Sequence, residues 1–288
     1  MTSRVSSHSY DRIKSALNYL EENKGNPLSS KDLALVAGLG QDVFEQELDK
    51  LCGMSPSSYQ QFFSLKACKQ RLSQSQQKMT SHLYGSSLLT SSFDAKNSFE
   101  EISIEESYEW GSGHSIFYGY GNSRWGKLLI GMTEKGVCYI GFVDDESGSL
   151  IDLKSRWPKA DFYDSPEKCA KWTERVSCHV EQEPKDRLPL HLIGTKFQVS
   201  VWRFLIKISL GNVLSYGDVA RGVGKPTATR AVASAIGRNP ISCIIPCHRV
   251  ISSRGKIHRY HWGAVRKKAM NASEAVAEGS NSPELEIQ

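Results

Sequence analysis

The chain has 288 residues, 39% hydrophobic and 9% aromatic, enough apolar material for two or three packed units. No run of about 18 apolar residues could span a bilayer, and the polar start MTSRVSSHSYDRIK carries no signal-peptide core, so a cytoplasmic protein without a membrane partner is expected. Seven cysteines, an odd number with no CxxC pair, speak against a disulfide framework and against a metal site.

The net charge of +5 hides an asymmetry. Residues 191–274 hold fourteen Lys and Arg against Asp218 and Glu274 alone, a net +12, while residues 1–190 hold twenty-two bases against twenty-six acids, a net −4. Such a concentrated positive charge repels itself unless an anionic partner is expected, and nucleic acid is the usual one. The basic stretch is therefore expected to carry nearly all DNA affinity, and a chain starting near Ser112 to work alone.

In chain order, Ile13, Ala16, Leu17 and Leu20 recur at helical spacing. LSSKDLALVAGLGQDVFEQELDKLCGMSP then predicts helix, glycine-containing turn and helix, with Ser30 as N-cap. On the second of these helices Asp42, Glu45, Glu47 and Asp49 stand against Lys50 alone, a poor match for a phosphate backbone. SSYQQFFSLKACKQRLSQ predicts one further helix, a polar stretch of weak periodicity follows, and the acidic residues from Glu100 to Trp110 connect to the next unit.

SIFYGYG, KLLIGMT and VCYIGFV predict strands, the last two joined by a turn at Glu134-Lys135-Gly136, and helices are expected around 147–156 and 165–182. Thr195-x-x-Gln198 is a capping box that opens a helix striped by Phe197, Val201, Phe204, Leu205 and Ile208. VLSYGDVARGVGKPTATRAVASAIGRN predicts a second helix-turn-helix, Ser215 capping its first helix and Pro226 opening its second. That second helix is small-sided and basic through Ala228, Thr229, Arg230, Ala231 and Ala233, which suits close approach to a groove.

The chemistry concentrates in ISCIIPCHRVISS, where Pro246 halts an apolar run just before Cys247 and His248. A thiolate, not a thiol, attacks carbon, and a neighbouring base can take its proton. A Cys-His pair alone is also compatible with a buried small hydrophobe.

The stretch GTKFQVSVWRFLIKI…LSYGDVARGVGKPTATRAVASAIGRNP…IIPCHRV…YHWGAVRKKA resembles the O6-alkylguanine-DNA alkyltransferase family, whose active-site signature is PCHRV. The likeness runs from about 194 to 274 and more weakly from about 114. Residues 1–110 resemble the AraC-type helix-turn-helix domain of Ada-type members, best in GMSPSSYQQF. No stretch matches the zinc-bound phosphotriester domain with which Ada proteins begin.

The resemblance implies an α+β multidomain fold. It comprises an all-α helix-turn-helix unit at 1–110, a small ribonuclease-like α/β unit at 113–190, a mostly α winged-helix-like catalytic unit at 191–275 and a disordered tail at 276–288. It implies repair of double-stranded DNA by irreversible transfer of an alkyl group from O6-alkylguanine, and from O4-methylthymine, to Cys247. A monomer would do this once, without cofactor or metal. His248 would act through a water as base, Glu274 would orient it, Asn239 would hold the active-site turn, and Tyr216 would donate a proton to the departing guanine. Arg230 would fill the gap left by the flipped base, and Ala228, Thr229, Ala231, Ala233, Arg249 and Tyr260 would complete the DNA-contacting set. The sequence departs from the family where His258-Arg259-Tyr260-His261-Trp262 replaces a glycine before the tyrosine, and where RKKAMNASE lacks an apolar pair before the glutamate.

Overall fold

Tyr10, Ile13, Ala16 and Leu17 are all buried along one side of α1 (His8–Glu22), as their spacing requires. The computed structural model describes residues 8–23, 26–84, 102–105, 111–181, 188–257 and 260–279. Helix α2 (Ser30–Ala37) is capped by Ser29, one residue before the expected Ser30, because Asp32 stands at the third position to return the capping-box bond. It ends at Gly38, whose φ of +67° is the left-handed turn before α3 (Gln41–Cys52).

The single helix expected next is two, α4 (Pro56–Phe62) and α5 (Leu65–Tyr84), and α5 continues into the polar stretch as far as Tyr84. Residues 85–101 and 106–110, the rest of that stretch and most of the acidic connection, lie outside the described residues.

A six-stranded mixed sheet follows, in the order β1-β6-β4-β3-β2-β5. Its strands are β1 (Ile102–Glu105), β2 (Ser115–Ser123), β3 (Gly126–Thr133), β4 (Gly136–Phe142), β5 (Asp161–Asp164) and β6 (Leu190–Ile193). The three expected strands form its antiparallel meander, joined at Gly136, where φ is +133° and a Cβ would strike the Pro189 carbonyl. The acidic connection expected from Glu100 to Trp110 contains β1, whose Ile102 and Ile104 alternate with polar neighbours and which pairs parallel to β6. Helices α6 (Glu146–Arg156) and α7 (Pro166–Glu181) lie near their expected bounds.

The last part holds α8 (Lys196–Ile206), β7 (Leu214–Ser215), α9 (Tyr216–Gly222), α10 (Thr229–Gly237), β8 (Val250–Ile251) and α11 (Ala264–Ala277). Both expected caps form, Thr195 with Gln198 and Ser215 with Asp218. Pro226 instead lies in the turn before α10, closed by Ala228 N–H onto the Lys225 carbonyl, and Ala228 is the N-cap. Helix α11 runs two residues into the expected tail, and Glu278 beyond it pairs with Lys78 at 3.7 Å.

The helices of residues 8–84 share one hydrophobic core with the sheet and with α11, with α1 and α3 packed on α11. Arg266 of α11 is buried between the rings of Tyr10 and Phe142, 4.4 Å from each, and donates to Asp144 at 2.9 Å. Lys268 pairs with Glu21. Helix α5 reaches α9 and β7 through Gln76 to Asp218 at 2.8 Å and Val213 N–H to Ser75 Oγ at 3.0 Å. The expectation that a chain starting near Ser112 stands alone does not fit this packing; charge counts say nothing about shared apolar surface.

Candidate active site

Cys247 opens a short 3-10 turn, Cys247–Arg249, and is 3% exposed. Pro246 precedes it at φ −79°, and β8 carries the chain away immediately after. Asn239, two residues past α10, is buried and makes four bonds from one side chain. Its Oδ1 accepts from Ile241 N–H at 3.0 Å, while its Nδ2 faces the carbonyls of Ile241 (3.2 Å) and Ile245 (2.9 Å) and the Cys247 sulfur (3.0 Å). An amide N–H directed at sulfur favours the thiolate over the thiol.

Helix α11 brings Glu274 to His248, Oε1 to Nε2 at 2.7 Å. Both are buried. Burial works against charge on Glu274, yet Arg249 and His248 hold its carboxyl well below the usual range. Burial depresses His248, against the pull of Glu274, so the ring is neutral at neutral pH. With Nε2 spent on the carboxylate, Nδ1 is buried without a partner. Burial pushes the Cys247 thiol up, opposed by the Asn239 bond, the Lys267 charge and the Tyr260 phenol. The resting thiol is protonated and needs a base.

Two expected DNA contacts turn inward. Arg249 donates Nε and Nη2 to the Glu274 carboxylate, each at 2.9 Å, and Nη1 to the Ile208 carbonyl. Its side chain is 13% exposed, with Nε, Nη1 and Nη2 each turned to Glu274 or Ile208 rather than outward toward a phosphate. Tyr260 has a buried hydroxyl that faces the sulfur without a well-formed hydrogen bond, so it walls the thiol rather than lying on a DNA surface.

Thr229, Arg230 and Ala231 are exposed on α10, Ala228 and Ala233 half-buried, and Val232, Ala235 and Ile236 anchor the opposite side. Tyr216 opens α9, half-buried against the core that contains Cys247. His258 and Arg259 lie outside the described residues. On α3, Glu47 turns from the expected groove face into the interior, where Arg12 meets it at 2.8 Å.

Sequence reasoning missed Lys267 and Asn271. Lys267 is buried, which lowers it to about 8, and its ammonium binds the Val250 carbonyl. Asn271 donates to the His248 carbonyl at 2.8 Å. A signal was there: Lys267, Asn271 and Glu274 fall at i, i+4 and i+7, one polar stripe of one helix.

The model of the 6-O-methylguanine DNA methyltransferase DNA-binding domain matches residues 196–276. The inducible methylated-DNA–protein-cysteine methyltransferase of Bacillus subtilis is 33% identical over 138 residues, which span 47% of this chain and 77% of that relative. The chain belongs to the methylated-DNA–protein-cysteine methyltransferase family. Within this methyltransferase family, the bifunctional transcriptional activator and DNA repair enzyme Ada of Escherichia coli is 29% identical over 270 residues, 93% of this chain and 76% of that relative. The crystal structure of Mycobacterium tuberculosis OGT in complex with DNA superposes with a TM-score of 0.46 at 30% identity, covering 56% of this chain and 94% of the other.

Proposed function

We propose that Cys247 is the acceptor in DNA repair by alkyl transfer to cysteine, and that O6-alkylguanine in double-stranded DNA is the substrate. The observation that carries this reading is the Asn239 amide nitrogen 3.0 Å from the Cys247 sulfur, on a thiol backed by the His248–Glu274 pair. His248 Nδ1 takes the thiol proton through a water, and Glu274 holds the ring so that this lone pair is available. The Asn239 N–H and the Lys267 ammonium stabilise the resulting thiolate.

An alkyl carbon on guanine O6 inside a duplex is out of reach, so the nucleotide is extruded, at a cost of a few kcal/mol. Arg230 occupies the vacated stack, and the small residues Ala228, Thr229, Ala231 and Ala233 let α10 approach the minor groove. The sulfur then attacks the alkyl carbon as the carbon–O6 bond breaks. The electron pair leaves with guanine, and the Tyr216 hydroxyl protonates it. The thioether has no good leaving group, so each molecule acts once, as a cytoplasmic monomer.

We read residues 113–190 as the ribonuclease-like unit, 191–275 as the winged-helix-like catalytic unit and 1–110 as an AraC-type helix-turn-helix unit. The α2–Gly38–α3 geometry supports the last of these.

The test is mass spectrometry after mixing with a methylated duplex. One added methylene on the Cys247 peptide is expected, and none in Cys247→Ala, which still binds DNA. Transfer surviving in Cys247→Ala, with the label on Cys243 or elsewhere, overturns the assignment.

A further inference from the structure

Behind Asn239 lies a polar network that the mechanism above does not use. Arg156, the last residue of α6, directs Nη1 at the carbonyls of Arg238 (3.0 Å) and Asn239 (3.4 Å). Its Nε donates to Asp152 Oδ2 at 3.1 Å. The same carboxylate oxygen accepts from the Tyr139 hydroxyl at 2.8 Å and faces His261 Nε2 at 3.2 Å. The Arg156 side chain is 14% exposed.

Three parts of the site meet there. Arg238 is the C-cap of α10, the helix that carries Arg230. Asn239 reaches the sulfur. His261 lies between Tyr260, whose hydroxyl faces the sulfur, and Trp262, whose ring its own meets edge-on at 5.0 Å. On the far side of the Asn239 turn, Ile140 N–H binds the Pro240 carbonyl and Ser242 N–H the Ile140 carbonyl, each at 2.9 Å. On the near side the guanidinium takes the carbonyls that flank Asn239. A planar fork suits this place, because it spans two carbonyls and a carboxylate at once, and its charge complements the negative end of α10.

We propose that Arg156, oriented by Asp152, is a positioning residue for alkyl transfer: it fixes the peptides flanking Asn239 so that the Asn239 amide stays on the Cys247 sulfur. The proposal rests on Cys247 being the acceptor.

The experiment uses the full chain with Arg156→Ala, Arg156→Lys and Asp152→Asn. It measures single-turnover methyl transfer from a methylated duplex and the pH dependence of Cys247 alkylation by iodoacetamide, resolved by peptide. Arg156→Ala is expected to slow transfer about tenfold or more and to move the thiol's pH midpoint upward, since the amide no longer steadies the thiolate. Arg156→Lys recovers part of both, and Asp152→Asn moves both in the same direction by less. If Arg156→Ala does not fold, Arg156→Gln carries its expectation. Parent-like transfer and midpoint overturn the proposal, and so does slowed transfer with an unmoved midpoint, which is a loosened fold. A label on another cysteine in the parent chain instead defeats the acceptor assignment, so the two readings fail separately.

Discussion

Lys268 of α11 and Glu21 of α1, 247 positions apart, form an ion pair in which the lysine is 7% exposed and the glutamate 20%. Removing one member of such a pair leaves a buried charge, a cost of about 3–5 kcal/mol. It lies beside apolar surface that α1, α3 and α11 share.

A chain starting at Ser112 is therefore expected to melt well below the full protein, and to lose transfer activity as α11 loosens around Glu274. Thermal melts and single-turnover rates of the two forms decide it. Equal melting temperatures would mean that residues 8–84 ride on the catalytic part without supporting it.

Acid should unfold this protein in two stages. Burial lowers His248 from 6.5, so the folded state binds fewer protons and loses stability as pH falls below about 6.5. Glu274 is also depressed, from 4.5, and Asp144 is held at about 2 by Arg266 and Lys14 against the effect of burial. Their stabilisation is present above about pH 4.5 and is lost as pH drops toward the folded values. Glu274→Gln should be less stable at pH 7 yet show a flatter acid limb. Melts between pH 3 and 7 check this, and parallel limbs for the two proteins would refute it.

Lys267 sits at about 8 because burial disfavours its ammonium, with the Cys247 thiol pulling the other way. The folded state thus binds fewer protons than the unfolded one between about pH 8 and 10.5, and at pH 7 the buried charge is a cost. Lys267→Met should melt at or above the parent temperature while Cys247 reacts several-fold more slowly with iodoacetamide, having lost its cation. A lower melting temperature with an unchanged rate would make Lys267 a purely structural residue.

Arg230→Ala should slow repair in duplex DNA by about tenfold, roughly 1.4 kcal/mol, and leave repair of free O6-methylguanine untouched. Arg230 is exposed on α10, and a free base needs no extrusion from a stack. Equal slowing on both substrates would place the arginine in support of the fold or the pocket.

Much of the site was legible because its signals are local. The Pro246-Cys247-His248 run, the Thr195–Gln198 capping box, the Ser215 cap and the three strand segments are each contained in a few residues. Arg249 was misread because adjacency to the cysteine says nothing about direction; the 3-10 turn aims it at Glu274, twenty-five residues away in sequence. RKKAMNASE departs from the apolar pair of the family because its buried residues include Arg266, Lys267 and Asn271, which bind Asp144 and the Val250 and His248 carbonyls, beside the apolar Ala269, Met270 and Ala272. The joining of residues 8–84 to α11 was invisible for a different reason. Apolar positions announce that they are buried, not what buries them.

Arg266 has a consequence for how such proteins can be recombined. Its guanidinium is shared between a ring of the first helix and a ring of the sheet. A chimera that supplied another helical unit without an aromatic at position 10 and an acid at position 21 would leave Lys268 without its carboxylate and Arg266 with Asp144 and Phe142 but an open face where Tyr10 stood. The two halves of this chain are matched parts whose residues must change together, and grafting either onto a foreign neighbour is a compatibility problem to be solved at Tyr10, Glu21, Arg266 and Lys268.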